Sequence, residues 1–124
     1  MALRLSKALG RSPESWMAMQ HNHDLVRRGR EIVLEALRVK NPCPDSLLGA
    51  MASVPFPAAE DGSPVARLDG DELAAWTRER GIESWFHPWP GPAGKLVRLS
   101  AQIYNTEAEY HSLAALLREA MRAA

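Results

Sequence analysis

From Leu96 to Tyr104 the chain alternates apolar and polar residues once past the opening Leu96-Val97 pair, and no other stretch limits its possible folds so sharply. Successive strand side chains point to opposite faces, so Val97, Leu99, Ala101 and Ile103 fall on one side of an extended backbone. Arg98, Ser100, Gln102 and Tyr104 fall on the other. Such a strand needs a sheet with one face on a core and the other turned elsewhere. With 124 residues, 46% of them apolar, the chain is long enough for one domain to bury roughly two-thirds of its unfolded surface. It needs no staple to do so, and Cys43, the single cysteine, has no second thiol to bridge to.

The cover for that sheet is written as helices. Ser12-Pro13-Glu14 is a helix start: a capping hydroxyl, a proline suited to the first position and an acid at the positive end of the dipole. From Ser15 to about Arg38, the positions Met19, Asn22, Leu25, Val26, Gly29, Ile32, Val33, Ala36 and Leu37 recur at helical spacing. Arg27, Arg28, Glu31, Glu35 and Arg38 lie on the opposite side. Asp69 and Glu72 have the spacing of a capping box, with Leu68 and Leu73 as a hydrophobic staple and Gly81 as the stop. Thr106 and Glu109 open a last helix whose Leu113, Leu116, Leu117, Ala120 and Met121 face inward. Two further strands are predicted, Leu48 to Phe56 and Ile82 to His87. The second is closed by Pro88 and Pro90 and so belongs at a sheet edge. The segments between are loops: Asn41 to Asp45 with its two prolines, Glu60 to Ser63, and Pro90 to Gly94. With Leu3, Leu5, Ala8 and Leu9 on a short first helix, the order is helix, helix, strand, helix, strand, strand, helix. This is a single α+β domain over residues 1–124, with a small antiparallel or mixed sheet of about three strands and helices packed on one face.

Charge and motif content exclude several functions. Fifteen basic residues against fifteen acidic ones give no net charge, which removes the electrostatic basis of a nucleic-acid binder. The best apolar run, Leu47 to Ala59, is broken by Ser53, Pro55 and Pro57 and falls short of the roughly 20 residues that cross a bilayer. Arg4, Lys7 and Arg11 superficially suit a transit peptide, but the same residues make an amphipathic helix, and a cytoplasmic protein is expected. His21 and His23 stand about 200° apart around a helix and cannot grip one ion, so no metal site is expected. Ser100, His87 and an acid could form a triad only on paper, without a nucleophile-elbow signature. Lys7, Lys40 and Lys95 read as polar surface positions, none of them a desolvated Schiff-base lysine. Trp85, Phe86 and Trp89 are suited to a ligand or peptide, although core or subunit interface is the commoner fate of such a cluster. Arg98 stands in mid-strand with Ser100 and Gln102 along the same face, an arrangement able to hold a carboxylate by a bidentate pair. A solvent-facing arginine is the competing reading.

The run Arg98-Leu99-Ser100-Ala101-Gln102-Ile103-Tyr104-Asn105-Thr106 resembles the C-terminal signature of class V aminotransferase-type, pyridoxal-phosphate-dependent enzymes, and specifically their isopenicillin N epimerase-like branch. Asn22-His23, the stretch from Cys43 to Met51, Val54 to Pro57, Gly81-Ile82 and Pro88-Trp89-Pro90 follow the same family in the same order, so the resemblance spans nearly the whole chain. It implies the small C-terminal domain of a fold-type I enzyme, a short sheet covered by helices. It implies that Arg98 anchors the α-carboxylate of an amino-acid substrate, with Ser100, Gln102 and Asn105 as supports, and that the parent enzyme is a homodimer. Family members are isomerases, transferases, lyases or desulfurases, and the domain does not choose among them. The family holds pyridoxal phosphate on a larger domain, through a lysine and an acid that nothing here matches. The chain is therefore expected to bind no cofactor and to be inactive alone, with no catalytic or cofactor-binding residues of its own. The alternative is a non-catalytic interaction domain that docks a partner through the Trp85/Trp89 edge strand.

Overall fold

The computed structural model describes residues 2–58, 68–90, 94–101 and 105–122. Helix α1 spans Ala2–Leu9 and α2 spans Pro13–Leu37; strand β1 is Met51–Pro55, helix α3 is Gly70–Glu79, strands β2 and β3 are Trp85–Pro88 and Lys95–Ser100, and helix α4 is Glu107–Arg122. A single 3₁₀ turn, Asp45–Leu47, lies between α2 and β1. The expected order of elements is met, and the domain is α+β. The long alternating strand is the centre of the sheet, whose order is β1-β3-β2 with both pairs antiparallel. Strand β2 is an edge, where Pro88 costs no ladder bond.

Local chemistry sets the helix ends. Ser12 takes the Ser15 N–H at 3.2 Å, with Pro13 in the first turn. Asp69 and Glu72 form the complete reciprocal box, each bond 2.8 Å long. At the other end of α3, Gly81 turns with φ +84°, and the Ile82 N–H bonds back to the Thr77 carbonyl at 3.0 Å. That bond keeps Ile82 in the helix terminus, and β2 consequently starts at Trp85 rather than at Ile82. Likewise the 3₁₀ turn occupies residues assigned to no element by periodicity, and β1 begins at Met51 instead of Leu48. Helix α4 has only half of its expected box. Glu109 accepts the Thr106 N–H at 2.8 Å, while the Glu109 N–H goes to the Thr106 carbonyl rather than the hydroxyl.

The core lies between one sheet face and the helices. Ala52, Val54, Phe56, Val97, Leu99 and Ala101 present that face, against Val26, Val33 and Leu37 of α2, Leu73 of α3 and Leu113 and Leu117 of α4. Phe56 and Phe86 meet with ring centroids 6.0 Å apart. The register pairs Ala52 with Leu99 and Val54 with Val97, so from Val97 onward the alternation seen in the sequence is the alternation of burial, while Leu96 on the outer face is buried as well. It holds through Ala101; Gln102, Ile103 and Tyr104 lie outside the described residues. One assignment to the inner faces of the helices needs correction: Met19 is exposed, because the buried stripe of α2 begins only at Leu25. Leu116 and Met121 are half-buried, and Met121 packs against the core. No helix among the described residues is long and apolar enough to cross a membrane.

Candidate functional site

The outer face of the sheet carries the polar half of the alternation. Arg98, at the centre of β3, stands opposite Ser53 on one side and Trp85 on the other. Because β3 is flanked by both other strands, its position is fixed by two ladders. The Arg98 guanidinium lies over the Trp85 ring, 5.7 Å from the centroid, and makes no ion pair among the described residues.

Where this face meets the start of α4, there is a cavity of about 560 Å³ whose walls include Trp85, Arg98, Ser100, Asn105, Glu109 and Tyr110. Three of the four sequence-derived candidates, Arg98, Ser100 and Asn105, are thus brought to one cavity; Gln102 lies outside the described residues. Asn105 also meets the first turn of α4. Its amide donates to Glu109 Oε2 at 3.1 Å, so it holds that carboxylate against the helix start. The Thr106 N–H and then this amide hold the Glu109 carboxyl below the usual carboxylate range. Tyr110 donates its hydroxyl to the Ser100 carbonyl at 2.6 Å. Burial, reinforced by Glu109, pushes the phenol up, so it stays a neutral donor and ties α4 to the end of β3.

A second depressed carboxyl completes the first turn of α4. Glu107 accepts from Arg28 Nε at 3.0 Å, and this bond is the main reason its acidity rises; His111 stands 3.5 Å away. A carboxyl whose folded-state pKa is lowered adds stability above the ordinary glutamate value of 4.5, and that stability is lost as pH falls through the folded-state value. The start of α4 should therefore loosen selectively in acid. Amide protection factors of residues 107–110, taken against the intrinsic exchange rate at each pH, are expected to fall more than that of Leu117 between pH 6 and pH 3.5, and Glu109→Gln should flatten part of the response. A uniform loss of protection along α4 would contradict this assignment.

Other candidates are not assembled. His87 pairs with Leu96, four residues along the strand from Ser100, or about 13 Å at 3.3 Å per residue, so Ser100 and His87 do not form a pair. Among the described residues no group of three histidine, cysteine or acidic side chains is placed to hold a metal. A larger cavity, about 680 Å³, lies between α2 and α4 and is lined by Arg38, Arg118 and Arg122, but it contains none of the strand's polar residues.

Two buried cations escaped the sequence reading. Lys95 is only 7% exposed, not a surface lysine. Its ammonium donates to the Leu68 carbonyl and lies 5.9 Å from the Phe56 ring centroid. Burial pulls its pKa down, against the opposing pull of Asp69 and Glu72. The signal was available: Lys95 is two residues before Val97 and so on the core face. Arg30 is 1% exposed within the buried stripe of α2. Its guanidinium reaches Asp45 and, at 3.2 Å each, the Cys43 carbonyl and sulfur. No protein-family model matches the chain, and no curated protein is significantly similar to it.

Proposed function

We propose that this chain is the substrate-carboxylate domain of a pyridoxal-phosphate-dependent enzyme acting on an amino acid, of the class V aminotransferase or isopenicillin N epimerase-like kind. The observation that carries the proposal is Arg98: a half-buried guanidinium with no counter-ion among the described residues, on the wall of a cavity beside the Ser100 hydroxyl. A planar N–H fork of this sort is matched by a carboxylate, which it binds bidentately. Ser100 supplies a further polar contact, and Asn105 and Glu109 hold the start of α4 at the cavity rim.

The described residues do not fit the cofactor itself. Lys95, the buried lysine, is turned to the core face and occupied by the Leu68 carbonyl, and it does not line the cavity. No step is therefore assigned to the cofactor on this chain. In this reading it is held by a large domain, in a cytoplasmic homodimer, and the role of Arg98 is to fix the substrate's orientation before chemistry.

An NMR titration of the chain with sodium acetate, against sodium chloride as control, tests the reading. Saturable shifts of the Ser100 and Asn105 amides are expected, and Arg98→Ala should weaken binding by about 10- to 100-fold, the worth of a charge-assisted pair. Joined to a large domain, the same substitution should act mainly on KM. A wild-type response to acetate in Arg98→Ala would remove the role.

The second reading, a partner-docking domain, is favoured by the exposure of Trp85 and Trp89, 58% and 51%, on the edge strand and just beyond it. It requires a partner that protects both indoles and leaves the acetate response absent.

A further inference from the structure

An arginine that binds a carboxylate loses rotamer freedom in doing so, and its affinity depends on how much of that freedom has already been removed. For Arg98 the neighbour able to remove it is Trp85. The two residues are direct partners in the β2–β3 register, and antiparallel pairing brings their side chains to the same outer face. The guanidinium carbon is 5.7 Å from the Trp85 ring centroid, within the range in which the ring's electron-rich face attracts a cation. Trp85 does little else in the fold: it is 58% exposed and takes no part in the core, yet it lines the cavity with Arg98.

We infer that Trp85 is a positioning residue for Arg98, holding the guanidinium by its face so that the N–H fork is left for the carboxylate. The inference rests on the reading of this cavity as a carboxylate site. It gives the exposed tryptophan a task in ligand binding rather than in docking, and makes the indole a partial shield of the ion pair from water. A leucine at position 85 would keep apolar bulk without the ring face, whereas phenylalanine would keep a smaller ring.

The experiment uses the whole ¹⁵N-labelled chain and its W85L, W85F and R98A variants, with sodium acetate as the probe. Relaxation of the Arg98 Nε–Hε group reports whether the side chain is held. It should be restrained in the wild type, mobile in W85L and largely restrained again in W85F. The acetate dissociation constant should rise about threefold in W85L and stay near the wild-type value in W85F, the range expected for an exposed cation–π contact. Unchanged amide shifts at Leu37 and Leu117, buried in α2 and α4, would establish that the variants fold. Equal Arg98 mobility in wild type and W85L would overturn the inference, as would an unchanged acetate affinity in W85L alongside its loss in R98A. If acetate binds wild type and R98A alike, the carboxylate reading itself fails, and the relaxation data still decide whether Trp85 holds Arg98.

Discussion

Asp45→Ala is expected to destabilise the fold by about 2–4 kcal/mol, whereas Arg30→Met, which removes the other partner of the same ion pair, should cost clearly less. The asymmetry follows from burial. Arg30 is 1% exposed while Asp45 is 52% exposed, so only the guanidinium has surrendered its hydration. Its Nε has no hydrogen-bond partner among the described residues. Without Asp45, the cation keeps only the Cys43 carbonyl and sulfur, which are weak compensation for a buried charge. Without the cation, Asp45 returns to water, and methionine fills the same space along α2 with apolar surface. What Arg30→Met gives up is the loop clamp. The Leu47 and Leu48 amides, which bond to Pro44 and Asp45 at 3.1 Å, should exchange faster although the global stability changes little. Urea unfolding of both variants decides the matter, and a larger loss for Arg30→Met than for Asp45→Ala would show that the guanidinium is a net source of stability.

Arg30 also marks where sequence reading stops. Caps and alternation are local, so Ser12, the Asp69/Glu72 box, Gly81 and the two faces of β3 were legible from spacing alone. Periodicity also placed Gly29 and Ile32 inward, and the burial of a charged residue between them depends on Cys43 and Asp45, 13 and 15 residues further on. The reverse error occurred at Met19, whose helical face is apolar but meets no sheet, because the buried part of α2 begins six residues later. At Lys95 the pattern was sound and the identity of the residue misled: a lysine stem fills core space while the ammonium reaches a carbonyl. For the site, Arg98 and Ser100 could be paired by their period of two, but Trp85 could not be added. Its place beside Arg98 is a matter of register between strands, and register is set by the whole sheet.

Gly29→Ala should destabilise the protein by about 1–3 kcal/mol even though alanine is the better helix former by about 1 kcal/mol. A Cβ at position 29 would stand 2.7–2.8 Å from three atoms of the Tyr110 ring, closer than a packed interior tolerates. The ring is not free to swing aside, because it is 5% exposed and its hydroxyl is tied to the Ser100 carbonyl at 2.6 Å. To admit the methyl group, α2 and α4 must part or Tyr110 must release β3. Both routes act on the cavity, since Ser100 and Tyr110 are two of its walls and Arg98 is two residues from that carbonyl. Gly29→Val should be worse, adding bulk and a β-branch at the same point. The cause is separable by a double-mutant cycle: in a Tyr110→Ala background, Gly29→Ala should become neutral or stabilising, as helix propensity alone would have it. Thermal unfolding of the four proteins, with the Ser100 amide shift as a local reporter, tests this. A stabilising Gly29→Ala in the wild-type background would mean that the Tyr110 ring yields without cost, and that the close approach of α2 and α4 does not govern the shape of the site.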